Sequence, residues 1–122
     1  MKYAIFIYSN PTTWGHPTFM HQEGLTQDER DARMNEFGLL MKEISESGEL
    51  VIGQPLDDPA LARTVRLQGD SLTTVDGPFH DSPERLAGYF VVDCENIDRA
   101  VEIAARFPDA RDGATEVRAL VE

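Results

Sequence analysis

The sequence predicts an α+β domain ordered β-α-β, an inserted β-hairpin, and β-α-β again. Three observations carry that reading. Residues 2–8 and 86–92 are short runs of strand length with apolar side chains on both faces. Two stretches with apolar residues at helical spacing each follow one strand and lead back to another, the pattern of a split βαβ unit. Between them lie two short runs flanking Gly69-Asp70, a hairpin turn signal. The architecture that joins these features is a ferredoxin-like βαββαβ sheet carrying one extra hairpin, with both helices on one face.

Taken in order, the first run sets Tyr3, Ile5 and Ile7 against Ala4, Phe6 and Tyr8, and Ser9-Asn10-Pro11 ends it. Residues 10–25 form a long loop holding Trp14, Gly15, His16, Pro17 and His21. Loops longer than about 12 residues are uncommon in compact domains and often functional. Two histidines five positions apart need further ligands to hold a metal. No cysteine or carboxylate cluster completes the set, so no metal is expected. Thr26-Gln27-Asp28-Glu29 is a capping box, in which the Thr26 hydroxyl and the Glu29 carboxylate each satisfy a backbone N–H at the start of a helix. Met34, Phe37, Leu40, Met41 and Ile44 then form one buried stripe, with Arg30, Arg33, Glu36, Lys42, Glu43 and Glu46 mostly outward. Gly48 suits the left-handed position that stops the helix.

Residues 49–56 read as the second strand and Asp57-Asp58-Pro59 as a loop. Symmetric closure around Gly69-Asp70 sets Leu67 opposite Leu72, Val65 opposite Thr74 and Arg63 opposite Asp76, a charge pair across the hairpin. The hairpin leads into Asp76-Gly77-Pro78-Phe79. Gly77 permits a turn or a close approach, and Pro78 fixes its own φ and removes an N–H. The strand should stop there and deliver the Asp76 carboxylate at its C-terminal end, while Phe79 anchors the exit in the core. Asp76 equally suits a cap on the turn through nearby backbone.

Asp81 or Ser82 is expected to cap a single helical turn with Pro83 just inside it. Residues 86–92 form a central strand in which Gly88 marks a bulge or a close approach. Asn96 caps the last helix, with Ile97, Ala100, Val101, Ala104 and Ala105 on its apolar face, and Phe107-Pro108 ends it. Residues 115–121 return as a final strand with Val117, Ala119 and Val121 inward.

A chain of 122 residues suits one domain and one core. Its 11 basic and 22 acidic residues give a net charge of −11, which repels phosphate backbones and anionic lipid. Nucleic acid and membrane surfaces are therefore excluded as partners, and no apolar run approaches the roughly 20 residues that span a bilayer. The first apolar run is too short for a secretory signal and lacks a small-residue cleavage site. The single cysteine, Cys94, rules out an internal disulfide framework, which places the chain in the cytoplasm. No phosphate-cradling glycine loop occurs, and no cofactor is implied. Strands apolar on both faces need cover opposite the helices, and a second subunit is the economical source.

Asp76-Gly77-Pro78-Phe79, followed by Leu86-Ala87-Gly88-Tyr89 and Ala104-Ala105-Arg106, resembles the DGPF-domain proteins of the YCII-related group. Thr64-Val65-Arg66, Glu116-Val117-Arg118 and the Met1-Lys2-Tyr3 start of a strand ending in Tyr8 fit the same resemblance, which covers nearly the whole chain. It implies a dimeric α/β-barrel arrangement with two sheets packed face to face. Most members of that family have no established activity. Relatives in the wider group include a dehydrochlorinase of chlorinated hydroxyquinols, and others carry a His–Asp pair. Some DGPF proteins are linked with alternative sigma factors. Residues 10–25 exceed the usual loop length, so His16 and His21 carry nothing over, and His80 is not a family position. The His–Asp pair has no counterpart here. The resemblance transfers only Asp76, Gly77, Pro78 and Phe79, with Arg66, as motif residues.

Two functions follow as expectations. The first is a small-molecule binder or enzyme with a pocket near Asp76. There Asp76 is base or orienting carboxylate, Tyr8, Trp14 and Tyr89 are walls, and Arg63 or Arg66 is the counter-charge. The second is a non-catalytic regulatory or protein-interaction module acting as a homodimer. It is motivated by the absence of a nucleophile–base set: Cys94 has no histidine near it in sequence, and there is no Ser–His–Asp trio.

Overall fold

A computed structural model describes residues 1–9, 24–80 and 82–122. The elements are β1 (Lys2–Ser9), α1 (Gln27–Glu46), β2 (Leu50–Pro55), β3 (Arg63–Gln68), β4 (Ser71–Asp76), β5 (Arg85–Asp93), α2 (Ile97–Ala105), the short α3 (Asp109–Asp112) and β6 (Ala114–Ala119). A 3-10 turn over Pro59–Leu61 precedes β3, and the Asp58 carboxylate accepts from the Ala60 N–H to start it. Four strands form one antiparallel sheet in the order β2-β5-β1-β6. Each helical crossover therefore skips one strand, and the two βαβ units interleave, as the sequence pattern predicts. The loop holding Trp14, His16 and His21 lies outside the described residues.

The local signals operate as read. Thr26 and Glu29 form the reciprocal capping box of α1, and Asn96 accepts from the Arg99 N–H at the start of α2. Gly48 stops α1 with a φ of 81°. β3 and β4 pair with Arg63 opposite Asp76, Val65 opposite Thr74 and Leu67 opposite Leu72, in the register that symmetric closure requires. A bulge falls in β5 where Ile7 pairs with Gly88 but Tyr8 pairs with Leu86, beside the glycine that suggested it.

The core lies between one face of the sheet and the helices. Tyr3, Ile5 and Ile7 of β1 with Ala87 and Val92 of β5 meet Leu40 and Ile44 of α1 and Ala100, Ile103 and Ala104 of α2. Phe37, Phe90 and Phe107 stack as a trio with ring centroids 4.7–6.2 Å apart. Phe90 lies over Gly53 so closely that a Cβ there would come within 2.5 Å of the ring. Each fully buried aliphatic side chain contributes about 1.5–3 kcal/mol.

Several expectations are corrected. Arg33 is buried, because it forms two hydrogen bonds of 2.6 and 2.9 Å with the Asp112 carboxylate beyond α2. Met34 is exposed. In α2 the buried stripe is Ala100, Ile103 and Ala104, continued by Phe107, while Ile97 and Val101 face outward. The sheet meets this helix on the side of Ile103, and an i, i+3, i+4 pattern alone does not choose between adjacent stripes. Val121 lies beyond β6, fully exposed, and Ala119 is exposed at its end. Residues 82–84 make no helical turn: Ser82 donates its hydroxyl to the Glu84 carboxylate, and β5 begins at Arg85. Phe79 is 62% exposed and anchors nothing in the core.

Candidate functional site

Strand alternation places Ala4, Phe6 and Tyr8 on the face of the sheet away from the helices. Pairing carries the same face across its neighbours. Ile52, Val91, Ala4 and Arg118 make one row, and Gln54, Tyr89, Phe6 and Glu116 make the next. Tyr8 follows, between Leu86 and Ala114. The centre is thus apolar and aromatic, Gln54 lies at one edge, and a carboxylate and a guanidinium lie at the other. Phe6, Tyr8, Tyr89 and Val91 are half-buried, and Ile52 and Leu86 are exposed.

The polar edge is connected. The Tyr8 hydroxyl donates to Glu116 Oε1 at 3.4 Å, and Arg118 Nη2 donates to Glu116 Oε2 at 2.8 Å. One carboxylate oxygen thus faces the phenol and the other the guanidinium. Burial raises the Tyr8 pKa, the Glu116 charge and the hydrogen bond to it add to the rise, and Arg118 opposes it. Tyr8 therefore stays protonated at neutral pH and acts as a donor. Arg118 remains largely exposed, so its other N–H groups are available to an anionic or carbonyl group above the sheet.

Gly113 fixes where this edge begins. A Cβ there would come within 2.3 Å of the Tyr8 carbonyl oxygen, so only glycine lets β6 enter beside Tyr8.

The hairpin residues are elsewhere on the surface. Arg63 and Asp76 form the expected cross-hairpin pair at 3.8 Å, but the Asp76 side chain is 90% exposed and Arg63 is nearly as open. An exposed pair of this kind contributes about 0–1 kcal/mol. Arg66 lies over the Phe79 ring at 5.1 Å from its centroid, and His80 packs edge-on against the same ring. Gly77 has a φ of 107°, its N–H donates to the Ala62 carbonyl at 2.7 Å, and its carbonyl accepts from the Thr64 hydroxyl at 3.0 Å. The motif glycine therefore closes the base of the hairpin, and Pro78 follows it, exposed.

Of the residues read from sequence as pocket members, the structure brings Tyr8 and Tyr89 to one face and groups Arg63, Arg66 and Asp76 on the hairpin. Trp14 lies outside the described residues. The hairpin leaves the end of β2 and returns to the start of β5, the end of the sheet where Tyr8 and Ser9 pair with Leu86 and Arg85. Glu116 and Arg118 were missed as site residues. Their signal was present: if Val117 points inward, its two neighbours share the outer face. Among the described residues no group of three or more His, Cys, Asp or Glu could hold a metal ion. No helix among them is long and apolar enough to cross a membrane.

Over 122 residues the chain is 25% identical to an uncharacterized protein of Rhizobium meliloti (strain 1021), spanning 98% of this chain and 92% of that one. Residues 1–122 match the YCII-related domain, and the chain belongs to the YCII-related domain family.

Proposed function

We propose that the protein is a homodimer whose open sheet faces pack together and enclose a small-molecule site, with Tyr8, Glu116 and Arg118 as its polar groups. The observation that carries this reading is the hydrogen-bonded Tyr8–Glu116–Arg118 row bordering a half-buried aromatic surface. Ligand sites are mostly apolar with a few convergent polar groups, and this face supplies both. Among the described residues nothing walls this sheet face, and a second copy would supply the cover that excludes water. The same holds for Asp76: on its own chain it is open to solvent, and a pocket that includes it requires a wall from the second subunit. In such a site Arg118 orients an acidic or carbonyl group, and Glu116 is placed to accept a proton. A cytoplasmic setting suits a chain with one buried free thiol.

A thermal-shift screen with small organic acids tests the reading. A ligand should raise the melting temperature of the wild type and lose most of that effect with Glu116→Gln and with Arg118→Ala, both exposed enough to leave the fold intact. Hits that shift all three proteins equally would remove this row from the site.

A second reading, a non-catalytic interaction module, is supported by a different observation. Val65, Leu67, Leu72 and Val75 of the hairpin are all exposed. In that case no small organic acid shifts the wild type, and the dimer itself is the functional unit.

A further inference from the structure

The β3–β4 hairpin forms a two-stranded sheet of its own. A two-stranded hairpin is marginally stable in water unless one face is covered. Here one face presents Val65 and Leu67 of β3 with Leu72 of β4, at 59, 66 and 67% exposure. Arg63, Thr74 and Asp76 complete that face at the base. Three large aliphatic side chains on one exposed surface, in a chain with a charge of −11, mark a surface built to be covered.

We infer that this face docks on a second copy of the same chain, so that each hairpin is an arm laid on its partner. The inference rests on the dimer proposed above and adds the element that holds it. Charge does not oppose a like partner at this face. Residues 63–76 carry Arg63 and Arg66 against Asp70 and Asp76 and are neutral, so the whole acidic excess lies on the rest of the chain. The hairpin is thus a place where two strongly acidic copies meet without repulsion.

Area points the same way. At about 4.8 Å between strands and 3.4 Å per residue, the open face of the four-stranded sheet projects to roughly 400 Å². The hairpin face adds roughly 200 Å² in projection, an increase of about half, next to the end of the sheet that carries Tyr8. An arm at that end also supplies a wall for the Tyr8 row, which has none among the described residues.

Sedimentation velocity on the wild type and on Leu67→Thr/Leu72→Thr tests the arm. Threonine keeps the β propensity of both positions while removing the apolar surface. The wild type should be a dimer at micromolar concentration, and the double variant should raise the dimer dissociation constant about 100-fold, the scale of losing a central anchor pair. Hydrogen exchange of the wild type gives a second readout: amides of residues 63–76 should be protected at high concentration and exposed on dilution. A wild-type dimer with an unchanged dissociation constant in the variant, and hairpin exchange independent of concentration, would overturn the arm while leaving the sheet-face dimer standing. A wild type that stays monomeric at high concentration overturns both.

Discussion

The helix-covered face of the sheet and the β3–β4 hairpin use the same kinds of side chain and come to opposite ends. Ile5, Val92, Leu40 and Ile103 are fully buried between sheet and helices, whereas Val65, Leu67, Leu72 and Val75 stand in solvent. Strands are paired in register in both regions, interrupted in the sheet only by the shifts at Ile7/Tyr8 and Leu50/Ile52. The difference is what lies across from them: two helices in the first case and, among the described residues, little in the second. Burial is therefore a property of the opposing surface. The hairpin shows that an apolar, well-registered strand pair within one chain can remain unfinished.

The comparison breaks first at the polar groups that lock the covered side. Arg33 reaches Asp112 with both side chains almost wholly buried. Arg33→Ala leaves that carboxylate without its charge partner and should cost about 3–5 kcal/mol in urea unfolding. Replacing both partners with apolar residues, as in Arg33→Met/Asp112→Leu, should recover most of the loss. A cost near zero for the single variant would mean that the pair does not tie α1 to α3.

The next effect is smaller and depends on pH. Arg99 donates two hydrogen bonds of 2.9 Å to Glu49, joining the start of α2 to the residue that leads into β2. These bonds hold the Glu49 carboxyl below its ordinary range, with help from the Ser47 hydroxyl, while burial opposes the shift. A carboxylate with a depressed folded pKa stabilises the protein above its unfolded pKa, about 4.3, and that contribution is lost as pH falls through the lower folded value. Arg99→Ala should cost about 1–3 kcal/mol at neutral pH, and its difference from wild type should shrink on acidification below the unfolded value. A difference that stays constant across that range would argue against the pairing.

Chemical reactivity sharpens the same contrast. Cys94 is buried, and burial, followed by the nearby Glu49 charge, raises its thiol pKa. It should react with iodoacetamide at neutral pH about tenfold more slowly than a free thiol, and unfolding in urea should abolish the difference. Rapid labelling of the native protein would show that this corner of the core opens.

The smallest effect is expected on the hairpin. At a concentration where sedimentation gives the mass of one chain, Leu67→Thr/Leu72→Thr should change unfolding stability by no more than about 0.5 kcal/mol, because both side chains are already in water. A loss of several kcal/mol in the monomer would mean that the hairpin face is covered within its own chain.

What could be read from the sequence was local. The capping box at Thr26 and Glu29, the stop at Gly48, the Asn96 cap and the bulge beside Gly88 each depend on a few neighbouring residues, and each occurs where its chemistry requires. The hairpin register was legible for the same reason, since a two-residue turn at Gly69-Asp70 leaves the strands no slack. The order of elements then implied the interleaved sheet. Tertiary structure decided everything that needed a distant partner. Arg33 looked like a surface residue because Asp112 lies 79 positions away, and Glu49 meets Arg99 across 50. The choice between Ile97 and Ile103 as the buried residue of α2 was set by where the helix lands on the sheet. The surroundings of Asp76 and of Tyr8 were likewise decided at a distance: the strand of Asp76 ends open to solvent within one chain, and a connected polar row forms where β6 brings Glu116 beside Tyr8. Caps and turns are closed within a few residues of sequence, whereas burial and pairing are fixed only when remote surfaces meet, and no short stretch of chain contains both sides of such a contact.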